Sequence, residues 1–439
     1  MKRAVAYLLI LLTLLPLFSC QNTEAPAETE QVETVQAQTA PKEESEEEET
    51  KANPNEIVPP LSVNDPLTWD KINALPIANS SMSIAELRQL CIDFFCLQVT
   101  FTWTPKKAVH YIVTNFNHPV TYKKGGLYAG IPYVNAGSGN LYRVMDYYDS
   151  ETGIFDVSML ERSKKLLGNS CSSSAGVAWG RVINSAELGY TSGHTPKLGF
   201  LPLGPYTANY EIERFDNNEH GIDVEDVIAA NDVQTMYQSY ALLQPADGII
   251  SGGHVRMAKE SAVVVYNADG TINGKESYCI FVEQGCYCSS ALHTRYQEDG
   301  SKYQIQGNDN LKVSFEELVK KYLPFTFAEF LGTDPVEKSE VSLNLSGTDI
   351  TVTELMTGTA TSNYIITDAY CNIRDAEGKI VLFYAFRQED HFLKSFNLSS
   401  VIPAAALEKY YDQNCTIEFQ AQLSTGERPV FYSGALIKG

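Results

Sequence analysis

The segment from Gln21 to about Pro60 sets the first limit on the fold, because it cannot take part in one. It holds eleven Glu and two Lys, a net charge of −9, and no aromatic residue. A stretch this charged and this poor in apolar side chains cannot bury enough surface to offset the entropy lost on ordering. Its like charges hold it extended, so it is a tether. The core must come from the residues after it. The 439-residue chain is 44% hydrophobic and 11% aromatic, which is enough for two folded domains after residue 60. That composition excludes a wholly disordered chain, and the absence of repeated long apolar runs excludes a polytopic membrane protein. The net charge of −21 repels phosphate backbones, so nucleic acid is not an expected partner.

Ahead of the tether, Lys2 and Arg3 precede an apolar run from Ala4 to Leu17 that only Thr13 and Pro16 interrupt. This is the layout of an export signal, too short for a comfortable membrane span. It ends Leu17-Phe18-Ser19-Cys20, which resembles the lipobox of bacterial lipoproteins. The resemblance implies removal of residues 1–19, lipidation of Cys20, and residues 20–60 as the tether. It implies a protein of the bacterial cell envelope held to a membrane by lipid, on the periplasmic side of the outer membrane or at the cell surface. Disulfides are permitted there. Cys371 and Cys415 are candidates for one, although sequence does not settle pairing. Cys286-Tyr287-Cys288 with His293 lacks the spacing of a zinc site, so no metal is expected.

Within the folded part, Ser83-Ile84-Ala85-Glu86 has capping-box spacing and predicts a helix to about Cys96, within an irregular region (61–126) packed on the core. A second helical pattern begins near Cys171. His254–Val265 and Tyr278–Glu283 read as strands joined through the turn residues Asn267-Ala268-Asp269-Gly270. Ser314–Tyr322 predicts a short helix. From residue 334 onward the pattern changes to short alternating segments around Val341–Leu345, Ile350 and Val352, Tyr364–Ile373, Ile380–Phe386, Ile417–Leu423 and Val430–Ile437. Turn residues separate them, which predicts a separate β-sandwich over 334–439. The tyrosines between Tyr142 and Tyr148 are expected to pack in the interior rather than form a sugar platform.

Three segments carry chemistry. Cys171 follows Gly168-Asn169-Ser170 and opens a helix of small residues, where the helix dipole favours thiolate and backbone N–H groups can hold an oxyanion. His254 opens a strand after Gly252-Gly253, a position from which an imidazole faces a cleft and can activate a thiol. His194 and His293 are its rivals. A third polar residue orients the ring in such sites. Glu283 or Gln284 is placed to do so, and strand alternation allows only one of them; Glu283 is preferred. Ser172 and Gly253, small neighbours of the couple, are expected to border the substrate.

In chain order the sequence supplies Gly130-Ile131-Pro132-Tyr133, Cys171-Ser172, Leu243-Gln244-Pro245-Ala246-Asp247 and His254-Val255. This series resembles the NlpC family of papain-like cell-wall peptidases and their relatives, the CHAP amidases, over roughly Leu127–Tyr322. The resemblance implies Cys171 as nucleophile, His254 as base, Tyr133 beside the oxyanion, and a Glu as third member. Ser170, Ser173 and Ala246 depart from the family's Asp, Gly and Gly. The fold it implies is α+β, a papain-like cysteine hydrolase core over 127–333 followed by the β-sandwich. The implied activity is cleavage of an amide bond in peptidoglycan stem peptides through a thioester, without a cofactor, on peptidoglycan or a muropeptide as substrate. Acyl transfer on the same core, and a catalytically silent surface scaffold, are the alternatives.

Overall fold

The computed structural model describes residues 65–113, 118–134, 140–159, 165–188, 199–207, 224–285, 294–296, 300, 302–345, 351–387, 393–411 and 413–437. The export signal, Cys20, the tether, His194, Cys286, Cys288 and His293 lie outside them. The architecture is mixed α and β, with several sheets and few helices.

The helix Ile84–Thr100 starts where its capping box dictates. Ser83 Oγ accepts from the Glu86 N–H at 3.3 Å, and Glu86 Oε2 accepts from the Ser83 N–H at 2.7 Å. The two bonds satisfy donors that a helix start leaves open. Leu87, Leu90, Cys91, Phe94, Phe95 and Val99 are buried along it. They pack it against the helix Cys171–Trp179 and the strand Tyr278–Gln284.

An antiparallel six-stranded sheet backs these helices. Its spatial order is Gly307–Ser314, Tyr278–Gln284, His254–Ala258, Gly248–Ser251, Leu323–Thr326 and Leu201–Pro202. A two-residue turn, Gly252-Gly253, joins the Gly248 and His254 strands. A second, mixed six-stranded sheet contains Thr102–Pro105 paired antiparallel with Leu127–Ala129. Its backbone bonds therefore run across residue 126. Trp103 stacks on Tyr128 at 4.9 Å between ring centres, and Tyr122 and Phe155 close around the pair. Tyr142 and Tyr148 are buried in the main core, as expected of packing residues.

The C-terminal part has its own apolar cluster, shared by a four-stranded sheet built on Ile366–Arg374 and Thr416–Leu423 and a three-stranded sheet of Val341–Leu343, Thr359–Ser362 and Ser395–Asn397. Two expectations need correcting here. Val352 was expected in a strand together with Ile350, which lies outside the described residues, but Val352–Met356 is a helix. Thr351 and Glu354 form a reciprocal capping box, a local signal that outweighs two alternating apolar residues. Cys371 and Cys415 are both free thiols. Register explains this: Cys371 pairs with Phe419, four residues along the strand from position 415. That offset is about 13 Å at the rise of an extended chain, far beyond disulfide reach.

The two parts are tied by a buried ion pair. Arg143 Nη2 donates to Asp368 Oδ1 at 2.9 Å, with both side chains 2% exposed. Asn140 Nδ2 donates to the other oxygen of that carboxylate, and Ser424 Oγ donates to the Gly180 carbonyl at 2.6 Å.

Candidate active site

Cys171 is the first residue of its helix, with Ser170 as the cap. Ser170 and Ser173 build that cap. Ser173 N–H donates to Ser170 Oγ, and Ser170 N–H donates to Ser173 Oγ at 2.7 Å. Asn169, just ahead, donates through Nδ2 to Gln98 Oε1, and Gln98 Nε2 donates to the Ser174 carbonyl, both at 3.1 Å. The cysteine is thus presented from a helix start locked to its neighbouring helix.

His254 opens the strand that faces this helix start. Its Nε2 lies 2.6 Å from Glu283 Oε2, which leaves Nδ1 as the nitrogen for the Cys171 sulfur. The imidazole and the sulfur lie close enough for each to shift the other's charge state. The backbone N–H groups of Val255 and Ser172 also favour the charged form of the sulfur. The structure therefore brings Cys171, His254 and Glu283 together, with His254 hydrogen-bonded to Glu283 and acting electrostatically on Cys171. Cys171 is 6% exposed and the His254 side chain 22%, so solvent reaches the couple from the ring side.

Register explains why Glu283 arrives there. Met257 pairs with Val282 and Ala258 with Phe281, so Glu283 faces Arg256 across the ladder and His254 on the diagonal. Both side chains reach it: Arg256 Nε donates to the same Oε2 at 2.5 Å. Gln284, on the other face, donates to the Ile131 carbonyl instead.

The electrostatics follow from this geometry. Burial pushes the Cys171 thiol up. The charged His254 ring, its hydrogen bond and the two backbone donors outweigh that and hold the thiol below its ordinary value. Burial works against a charged imidazole, but Cys171 and Glu283 raise the His254 pKa to about 9. Burial likewise works against a charged Glu283, and Arg256 and then His254 bring it down to about 2. The three shifts favour one another: a lowered thiol, a raised imidazole and a lowered carboxyl all move the couple toward its thiolate–imidazolium form.

The other expected site residues take smaller parts. Tyr133 is buried and forms an isolated parallel bridge with Asn169, two residues before the cysteine. Ser172 turns its hydroxyl to Ser170 at 3.1 Å. Gly253 is exposed in the turn before His254. The N–H of Cys171 makes no hydrogen bond among the described residues, and it points from a helix start as an oxyanion donor would. Arg256 was not singled out from sequence; its signal was a position two residues after His254 on one strand face. Among the described residues, no group of three or more His, Cys, Asp or Glu side chains is placed to hold a metal ion, and no helix is long and apolar enough to cross a membrane. No protein-family model matches the chain, and no curated protein matches it in sequence.

Proposed function

We propose that the protein is a cysteine hydrolase that cleaves an amide bond in peptidoglycan stem peptides, working from a lipid anchor at Cys20 in the bacterial envelope. The observation that carries the reading is the chain Cys171–His254–Glu283, with the thiol held down and the imidazole held up. A papain-like core accounts for a cysteine that opens a helix packed on an antiparallel sheet whose strand start bears the histidine. We read the two C-terminal sheets as a β-sandwich that docks substrate or partner. The choice of peptidoglycan rests on the motif series and the export signal.

In this mechanism the Cys171 thiolate attacks the amide carbon, and the carbonyl electron pair moves to oxygen. The Cys171 N–H holds the oxyanion, joined by the Tyr133 hydroxyl. His254 gives its proton to the amine nitrogen, the C–N bond breaks, and a thioester remains. The neutral ring then takes a proton from water, whose oxygen attacks the thioester. The acid leaves, and the thiolate–imidazolium pair is restored. Glu283 keeps the ring oriented and stabilises its charged form throughout.

The test is Cys171→Ala on purified muropeptides. Turnover is expected to fall by about 10⁴-fold or more, with unchanged circular dichroism. Retained turnover overturns the assignment. Product masses with and without an added amine separate hydrolysis from acyl transfer, and a folded wild-type protein that turns over neither way is a scaffold.

A further inference from the structure

Arg256 has no place in the mechanism above, yet it shares an oxygen with the residue that orients the base. Its Nε donates to Glu283 Oε2 at 2.5 Å, the atom that also receives His254 Nε2 at 2.6 Å. Its guanidinium carbon sits over the Tyr322 ring, 4.8 Å from the ring centre, a second contact that restrains the side chain. The Arg256 side chain is 16% exposed and that of Glu283 3%. A carboxylate so buried is costly unless a full positive charge stays beside it.

We propose that Arg256 is a positioning residue of this active site, locking Glu283 as an ionised acceptor so that the thiolate–imidazolium couple survives into mildly acidic solution. The proposal rests on the cysteine–histidine reading of the site but not on any particular substrate.

The groups that face this centre come from four elements. Cys171 approaches from its helix, His254 and Arg256 from one strand, Glu283 from the next, and Tyr322 from the turn before Leu323–Thr326. Asn308, across from Glu283 on the outer strand, carries no charge. Arg256 is the only permanent cation among them. Without it, Glu283 takes up a proton at higher pH and releases its hold on the ring. The thiolate also loses a nearby positive charge. Both effects move the acidic limit of the couple upward. The basic limit, set by loss of the imidazolium proton, does not fall, because the ring no longer shares its carboxylate with a second cation.

The experiment follows alkylation of Cys171 by iodoacetamide against pH, a reading of the thiolate that needs no turnover. In Arg256→Gln the acidic limb is expected to move up by about one pH unit, the basic limb to stay or rise, and the alkylation rate at pH 5 to drop about tenfold. Arg256→Lys, which keeps the charge, is expected to regain most of the shift. If Arg256→Gln keeps the wild-type acidic limb, the positioning role is wrong. If both variants lower the rate equally at every pH with no movement of either limb, the residue is merely structural and the proposal also fails. If wild-type Cys171 shows no activated alkylation at all, the cysteine–histidine reading fails instead, which separates the two outcomes.

Discussion

Cys171 and Cys279 belong to the same layered core, and both are nearly buried, at 6% and 1% exposure. Their thiols nevertheless move in opposite directions. Cys279 sits inside the strand Tyr278–Gln284 with only burial acting on it, and burial pushes its thiol up. Cys171 feels the same penalty but meets a charged imidazole and two backbone N–H groups. Cys371, in the C-terminal sheet, behaves like Cys279, with its thiol pushed up to about 12. Burial therefore does not distinguish an inert cysteine from an activated one. What distinguishes them is whether the fold supplies donors for the sulfur at the place where it is buried.

The strongest way to break this comparison is to label the folded protein with iodoacetamide at pH 6 and map the sites by mass spectrometry. Cys171 is expected to react at least about 10³-fold faster than Cys279 or Cys371, since each pKa unit changes the thiolate fraction tenfold. His254→Ala should bring Cys171 toward the unreactive group. Comparable labelling of Cys171 and Cys279 in the wild type removes the distinction. The reactive form also has an upper limit: above about pH 9 the imidazolium loses its proton, and turnover is expected to decline there.

Glu283→Gln sharpens the comparison at the next level, leaving the sulfur in place and removing the charge behind the base. Turnover should fall about 10²-fold, a smaller loss than removing the nucleophile. The variant also has a stability signature. Glu283 is held down to about 2 in the fold, against about 4.3 when unfolded. Its charge therefore stabilises the fold above about pH 4, and that contribution is lost as pH falls through about 2. Urea unfolding of Glu283→Gln across that window is expected to show a shallower decline than the wild type. An unchanged slope argues against the depressed carboxylate.

The local parts of this site were legible in the sequence. Ser83 and Glu86 marked the helix Ile84–Thr100, small residues marked Cys171 as a helix start, and alternation said that only one of Glu283 and Gln284 faces the histidine. Each signal spans a few residues and has a local physical cause. The parts that were not legible depend on register or distant pairing. Arg256 gains meaning only once Met257 is known to face Val282. Cys371 and Cys415 look like a pair until the ladder sets them four residues apart. Arg143 and Asp368, 225 residues apart, carry no local hint that they form a buried bond between the two parts. The capping box at Thr351 was local and readable, but the alternation of Ile350 and Val352 pointed the other way.

The smallest expected effect concerns the turn that precedes the histidine hairpin. Ala246 has φ of +66°, the left-handed region that favours glycine, and it is fully buried. Its carbonyl accepts from Trp179 Nε1 at 2.8 Å, and its N–H donates to the Ala258 carbonyl at 2.8 Å, so the backbone cannot relax without breaking both bonds. Beside it, Asp247 accepts from Arg88 at 2.8 Å and from Thr326 at 2.6 Å, anchoring the turn to the helix Ile84–Thr100 and the sheet. Ala246→Gly relieves about 1–2 kcal/mol of left-handed strain. Against this stand about 0.8 kcal/mol for the lost buried methyl and about 0.5–1 kcal/mol for the freer unfolded chain. The three nearly cancel, so urea unfolding should show a change of no more than about 1 kcal/mol, with turnover unaltered. Ala246→Val offers no such balance: it adds a branched side chain to the same strained backbone in a full core and should cost several times more. If valine is tolerated as well as glycine, the turn is not held in the left-handed conformation, and its anchoring of the sheet that carries His254 must be abandoned.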